Sequence, residues 1–396
     1  MEVGRRGLLL RALISRHFLL AFVVNCSMGI IYVWSLFLLP LEEFLGIARS
    51  SLSAVPAISL VSFTIGMVIH DHLLRRLSLR GYAILAFGLA GGGYALFSLI
   101  SSFRILIFGY GLLFGFGSGL GYGLALALVM QMPVPVRSIA VGAIMAAFAV
   151  SGVTLSSLLA EEIRHTNPSH SFGLIGAILM ALGILIAAAL PSSALRKPFE
   201  SRAMGKFRFD DMTNTRFMML GTVFFFICYT GLMVVAHATG IFSARNLPQD
   251  VVGLAPGAFT FGYIVGSSAG AKLVEALSGI VTLMIANVVA GVGLVFLLVP
   301  ASPLMLTGTV AIGMVFGGSA SIMPVLIGEL YGAEKIGDIY GKLMIAYGMA
   351  GLLAPWISGQ FFSASGDYTI SIGIGIAMCI AGVAIGFALK QTFSPR

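Results

Sequence analysis

Long apolar runs, each close to twenty residues and separated by short polar turns, dominate the chain. Within a run the apolar character is continuous. It does not alternate residue by residue, as it must in a transmembrane β-barrel strand. About 20 apolar residues in helical form cross a bilayer's hydrocarbon core. Twelve runs approach that length, near 18–39, 52–69, 81–101, 105–130, 139–159 and 172–190, then near 217–242, 251–271, 280–299, 304–328, 336–361 and 370–389. Lipid offers backbone groups no partner, so each run is predicted to be a helix. One long polar stretch, 192–216, divides the pattern into a six-span half at 1–191 and a second at 217–396.

The first run mixes residue types unusually. "GIIYVWSLFLLPL" (29–41) holds Gly29, Tyr32, Trp34, Ser35 and Pro40. Successive helical positions differ by about 100°. Asn25, Gly29, Tyr32 and Ser35 therefore share a small, polar face, and Trp34 points elsewhere. Such a face fits a cavity wall. A second reading packs Gly29 on a neighbouring helix and anchors Tyr32 at the lipid interface. Pro40 is expected to end the span.

Composition sharpens the class. The chain has 396 residues, 58% hydrophobic and 10% charged, where soluble domains carry about 25% charged residues. It reads as an all-α integral membrane protein whose first partner is the lipid bilayer. The net charge of +8 sits in loops between apolar runs, which argues against a nucleic-acid partner. With the N-terminus in the cytoplasm, 18 Lys and Arg fall on the cytoplasmic side. They include Arg75, Arg76, Arg80 and six in the central loop. Four (Arg49, Arg104, Arg164 and Arg245) fall outside. The positive-inside rule then predicts twelve crossings with both termini cytoplasmic. The basic N-terminus precedes an apolar run too long for a signal-peptide core, so an uncleaved first span is expected. Cys26, Cys228 and Cys379 lie inside apolar runs, without disulfide or metal spacing.

No nucleophile elbow, Walker loop or metal motif occurs, and no Asp or Glu sits near the middle of a span. The expectation is no enzyme, no cofactor and no metal. The polar residues inside spans are then the candidates. Asn25 carries an amide that is costly to leave unpaired at that depth. Tyr122 interrupts "GYGLLFGFGSGLGYG", whose Gly111, Gly115, Gly119 and Gly123 spacing suits close helix packing. Ser267, Ser319 and Ser321 can donate to a carboxylate or act as small packing residues. His237, late in its span, is either a proton-coupling group or an interhelical hydrogen bonder. Lys342 lies about 9 Å into its span at 1.5 Å per residue. It is either a functional cation or a side chain that snorkels to the headgroups. Tyr347, five residues on, lies about 140° around the helix from it.

Three segments carry a family resemblance. "GIIYVWSLFLLPLEEFLGIARSSLS", "GFGSGLGYG" (115–123) and "GGSASIMPVLIGELYGAEKIGDIYGKLMIAYGMAGLLAP" (317–355) resemble the first, fourth and tenth-to-eleventh spans of the oxalate/formate antiporter and monocarboxylate porter group. That group is a bacterial branch of the major facilitator superfamily. "GFGSGLGYG" also lies about 200 residues before "FGGSASIMP" (316–324), an echo fitting that superfamily's paired six-helix repeats. The resemblance implies a monomeric transporter in a bacterial inner membrane, moving a small organic acid by alternating access, with or without a co- or counter-transported ion. Asp71 and Arg75 survive from the superfamily's loop motif and join His237 and Lys342 as coupling or gating candidates. Where oxalate-type members carry an Arg and a Lys, this chain has Ser267 and Tyr347. A dianion without counter-charges would be costly in a low-dielectric site. The expected substrate is therefore a monocarboxylate or a weakly charged metabolite, held by Asn25, Tyr32, Tyr122, Ser267, Ser319, Ser321 and Tyr347. A non-transporting receptor on the same fold is the alternative.

Overall fold

The computed structural model describes residues 15–129, 131–132, 134–190, 214–331 and 336–393. Among the described residues every regular element is helical. The first apolar run forms α1 (Arg16–Met28), a 3-10 segment (Gly29–Val33) and α2 (Trp34–Leu45). Then follow α3 (Arg49–Leu52), α4 (Ala54–Arg76), α5 (Leu79–Leu99), α6 (Phe103–Leu106), a π-helical segment (Ile107–Phe114), α7 (Gly115–Val129), α8 (Val134–His165) and α9 (Pro168–Ala189). The second half supplies α10 (Thr215–Ala244), α11 (Gln249–Leu277), α12 (Gly279–Leu298), α13 (Ser302–Tyr331), α14 (Ile336–Ser365) and α15 (Thr369–Phe393).

Among the described residues ten stretches are long and apolar enough to cross a membrane, so this is a multi-pass membrane protein. The other two predicted spans, 139–159 and 336–361, fall within α8 and α14, helices of 32 and 30 residues. Polar residues begin the helices where the sequence turns from loop to apolar run. Ser78 accepts from the Gly81 N–H ahead of α5, and Asn167 accepts from His170 with Pro168 in the first turn of α9.

One expectation for the first run needs correction. Pro40 does not end the span. It sits inside α2, which runs on to Leu45 and stops at left-handed Gly46 (φ 62°). In an apolar setting the freed backbone has no better arrangement than continuing the helix, and glycine is the residue that adopts the left-handed stop. The 3-10 segment winds the chain more tightly than 100° per residue, and Tyr32, Trp34 and Ser35 are all buried.

The chain packs as two compact units. The first comprises Met1–Ile31, Ile58–Ser151 and Glu161–Glu200; the second comprises Tyr32–Ala57, Gly152–Ala160 and Ser201–Arg396. In the first unit α7 lies backbone-to-backbone on α4. A Cβ at Gly115 would stand 2.4 Å from the Ser59 carbonyl oxygen, and one at Gly119 would stand 2.1 Å from that of Phe63. In the second unit α13 lies on α11 in the same way: a Cβ at Gly313 would stand 2.0 Å from the Phe259 carbonyl oxygen, and one at Gly317 2.2 Å from that of Tyr263. The matching positions are separated by 198–200 residues in sequence. Gly93 with Gly109, and Gly293 with Gly308, repeat the correspondence. The internal repeat is thus written in glycines that let two helices touch.

Candidate substrate site and a buried polar network

The glycine contact between α11 and α13 fixes one aromatic cluster of the second unit. Phe259 and Tyr263 project from α11 beside the contact, and Phe316 from α13. Tyr32, carried by the 3-10 segment, inserts among them. Its ring centroid lies 6.3 Å from Phe259, 5.6 Å from Tyr263 and 6.3 Å from Phe316. The Tyr32 and Tyr263 side chains share a hydrogen bond. Tyr347 of α14 stacks on Phe316 with centroids 6.4 Å apart and planes 17° from parallel. Behind Phe316 lies Gly231 of α10, where a Cβ would come within 2.5 Å of the ring. Tyr32 is 4% exposed, so it packs on rings instead of standing at a lipid interface. The cluster offers three phenol hydroxyls on an apolar aromatic wall. Such a wall suits a small ligand with one or two polar groups.

The three candidate serines are arranged differently. Ser267 donates to the Ile264 carbonyl (3.1 Å), Ser319 to Phe316 (2.6 Å) and Ser321 to Gly318 (3.0 Å). Each hydroxyl proton is engaged by its own helix, which leaves the oxygen only as an acceptor.

In the first unit Asn25 and Tyr122 converge on α8. Asn25 Nδ2 donates to the Ile144 carbonyl at 2.6 Å. Tyr122 lies edge-on to Phe63 (5.6 Å) and Phe148 (5.4 Å), with its hydroxyl on the Met145 sulfur. Ser118 of α7 donates to the Met28 carbonyl at 3.0 Å. Gly29 is a close-approach position: a Cβ there would lie 1.6 Å from the Phe148 carbonyl oxygen. The candidates therefore separate into two groups. Asn25 and Tyr122 meet through α8, and Tyr32 and Tyr347 meet through Phe316.

His237 belongs to a network that the sequence did not reveal. It is fully buried, with Nε2 2.9 Å from the Pro355 carbonyl and Nδ1 3.0 Å from the Tyr368 hydroxyl. A carbonyl only accepts, so Nε2 carries the proton and Nδ1 accepts from Tyr368. The Tyr368 oxygen in turn lies 3.5 Å from Arg49 Nη1. Arg49 donates twice to one carboxylate oxygen of Glu42, Nε at 2.8 Å and Nη2 at 2.5 Å. Its guanidinium also lies 3.7 Å over the Phe362 ring. Thr239, two residues from His237, donates to the Ser35 carbonyl. The short helix α3 and the end of α2 are thereby tied to α10, α14 and the start of α15. Beside the network, Asp367 accepts from the Thr369 hydroxyl (2.6 Å) and N–H (3.1 Å). The Thr369 hydroxyl holds this partly exposed carboxyl below its ordinary range, against weak burial.

Arg49 counts as an outer-loop cation in the sequence, and Tyr368 lies in a loop. Only folding shows that Arg49 is 8% exposed and touches both Glu42 and Tyr368. Of the remaining candidates, Lys342 is buried at 4% exposure, and Arg75 sits exposed in the last turn of α4. The Asp71 side chain lies outside the described residues, as do most of the 192–216 loop and the N-terminal basic cluster. Among the described residues no three His, Cys, Asp or Glu side chains are gathered as a metal site.

Residues 218–395 match the family model described as Major Facilitator Superfamily. No curated protein sequence matches the chain. Among solved structures, a bacterial homolog of the human lysosomal transporter Spinster, in an inward-facing and unoccupied conformation, is similar with a TM-score of 0.74 at 13% identity. The likeness covers 95% of this chain and 97% of that one. The nucleoside transporter NupG is similar with a TM-score of 0.72 at 14% identity, over 96% of this chain and 99% of that one. These structures show that the chain has the major facilitator fold, and the family match over its second half agrees with the fold that the sequence resemblance implies.

Proposed function

We propose that the chain is a secondary transporter of a small organic acid, most simply a monocarboxylate, working by alternating access. The observation that carries this reading is the cluster of Tyr32, Tyr263 and Tyr347 around Phe316, with Tyr347 at the position where oxalate-type relatives place a lysine. Phenol hydroxyls stabilise a single carboxylate by hydrogen bonding, and the aromatic faces hold an apolar body. They supply no counter-charge for a dianion. With both termini in the cytoplasm, as the cation distribution predicts, the Arg49 network stands at the outer face.

A second reading, a weakly charged planar metabolite, is favoured by the near-parallel stacking of Phe316 and Tyr347. The neighbouring fold of NupG, a nucleoside transporter, is in keeping with it. A thermal-shift screen of the purified protein against monocarboxylates, dicarboxylates and nucleosides separates the readings. Stabilisation by monocarboxylates alone supports the first, and by nucleosides alone the second. Stabilisation by dicarboxylates alone contradicts both.

A further inference from the structure

The network around His237 is directional, and direction gives it a function. Pro355 can only accept, so His237 Nε2 must donate to it and Nδ1 must accept. Tyr368 therefore donates its single proton to Nδ1, which turns an oxygen lone pair toward the Arg49 guanidinium. A proton added at Nδ1 reverses the bond. Tyr368 would then face two N–H donors and lose the Nδ1 acceptor of its own proton. A second cation would also stand one side chain away from Arg49 in a buried setting. Of the charged and titratable groups described around His237, Arg49 on α3 and Glu42 on α2 lie behind Tyr368. Asp367 is bonded to Thr369, and α14 presents the Pro355 carbonyl.

The geometry points to His237 as the proton-binding site of the transport cycle, loaded at Nδ1 only when Tyr368 and Arg49 have moved away. Residues 32–57 are held onto α10, α14 and α15 by Arg49 and Tyr368, by Thr239 on the Ser35 carbonyl and by Ser363 on the Ser50 N–H (3.2 Å). Loading the proton is thus tied to undocking of that segment. By linkage, proton binding favours the undocked form. This names the coupled ion of the transporter proposed above, and it rests on that reading only for the word transport. The latch itself is a property of the second unit.

The test needs no substrate. Hydrogen–deuterium exchange of the full chain in lipid nanodiscs, read on peptides from 42–57, is compared at about pD 7.5 and about pD 5.5 after correction for the chemical exchange rate. In the native protein the corrected exchange should rise about tenfold at the lower pD. His237→Gln keeps an acceptor and a donor but does not titrate, and its corrected exchange should be the same at both. Glu42 remains in that variant. A pH response that persists there assigns the effect to Glu42 and overturns the proposal, as does a native protein with no response. If His237→Gln does not fold, Tyr368→Phe decides. It lacks the donor to Nδ1 and should exchange fast already at the higher pD; exchange and pH response like the native protein's would overturn the proposal. Failure of the monocarboxylate reading leaves all of these outcomes unchanged.

Discussion

Replacing Gly317 by alanine tests whether the glycine contact positions the aromatic cluster. A Cβ on Gly317 would stand 2.2 Å from the Tyr263 carbonyl oxygen and 2.7 Å from its carbonyl carbon. The obstacle is backbone, so no rotamer change relieves it. Real Cβ atoms essentially never approach closer than 3.0 Å, so α11 and α13 must separate by at least 3.0 − 2.2 = 0.8 Å. Overpacking of this kind costs about 1–3 kcal/mol, offset by up to about 1 kcal/mol because alanine favours a helix over glycine. The displacement falls on Tyr263 and Phe316, adjacent to the contact. If the cluster binds the substrate, affinity should drop roughly tenfold for every 1.4 kcal/mol of lost fit. The control is Gly373→Ala on α15, where an added Cβ meets nothing within 4 Å. Thermal unfolding in detergent and ligand-induced thermal shift read both effects. Gly317→Ala should melt several degrees lower and lose most of its ligand response, while Gly373→Ala should match or exceed the native protein. If the two variants behave alike, the contact does not hold the cluster.

Other outcomes follow from the same geometry. Arg49→Met should weaken docking of 32–57 by about 2–4 kcal/mol, since breaking a largely buried ion pair costs about 3–5 kcal/mol and Glu42, 29% exposed, recovers part of that from water. A double-mutant cycle with Glu42→Gln should then show a coupling of at least about 1 kcal/mol, and an additive cycle would deny the pair. Joint replacement of Ser267 by Arg and Tyr347 by Lys should move ligand-induced stabilisation from monocarboxylates toward dicarboxylates; no change in preference would discard the counter-charge argument. Ser171, His170 and Thr166 hold Glu162 below its ordinary 4.5 although partial burial alone would raise it. Its stabilisation is therefore complete above about pH 4.5 and lost as pH falls through the lower folded value. Glu162→Gln should melt below the native protein at neutral pH, with the gap closing only in stronger acid, and a gap already closed at pH 5 would contradict the assignment.

Much of the fold was legible because lipid allows so few solutions. Continuous apolar length marked the helices, and glycine spacing in 109–123 marked close packing that the structure realises at Gly115 and Gly119. The kink in the first run was not legible. Gly29 read as a cavity-face or packing position and Pro40 as the end of the span, yet the winding changes at Gly29 and the helix runs on through Pro40. At Gly29 the close approach is tertiary: it sits against the Phe148 carbonyl. Of the aromatic cluster, Tyr32 and Tyr347 were candidates because large polar tips are conspicuous among leucines and glycines, whereas Tyr263 was not singled out. The serines looked like donors, but their protons are taken by their own helices. The partners of His237 were hidden for a different reason. Arg49 is 188 residues from it and Tyr368 is 131 residues away in the other direction, and no local pattern joins an outer-loop arginine to a buried histidine.

The central claim is that the phenol-lined aromatic cluster carries a small organic monoanion across the membrane. Time-dependent uptake of a labelled monocarboxylate into proteoliposomes tests it most directly, with native protein beside Tyr347→Phe and empty vesicles. The account predicts saturable accumulation by the native protein, competed by other monocarboxylates and not by dicarboxylates, and a raised KM in the variant. Binding without accumulation, or uptake indifferent to Tyr347, would contradict it.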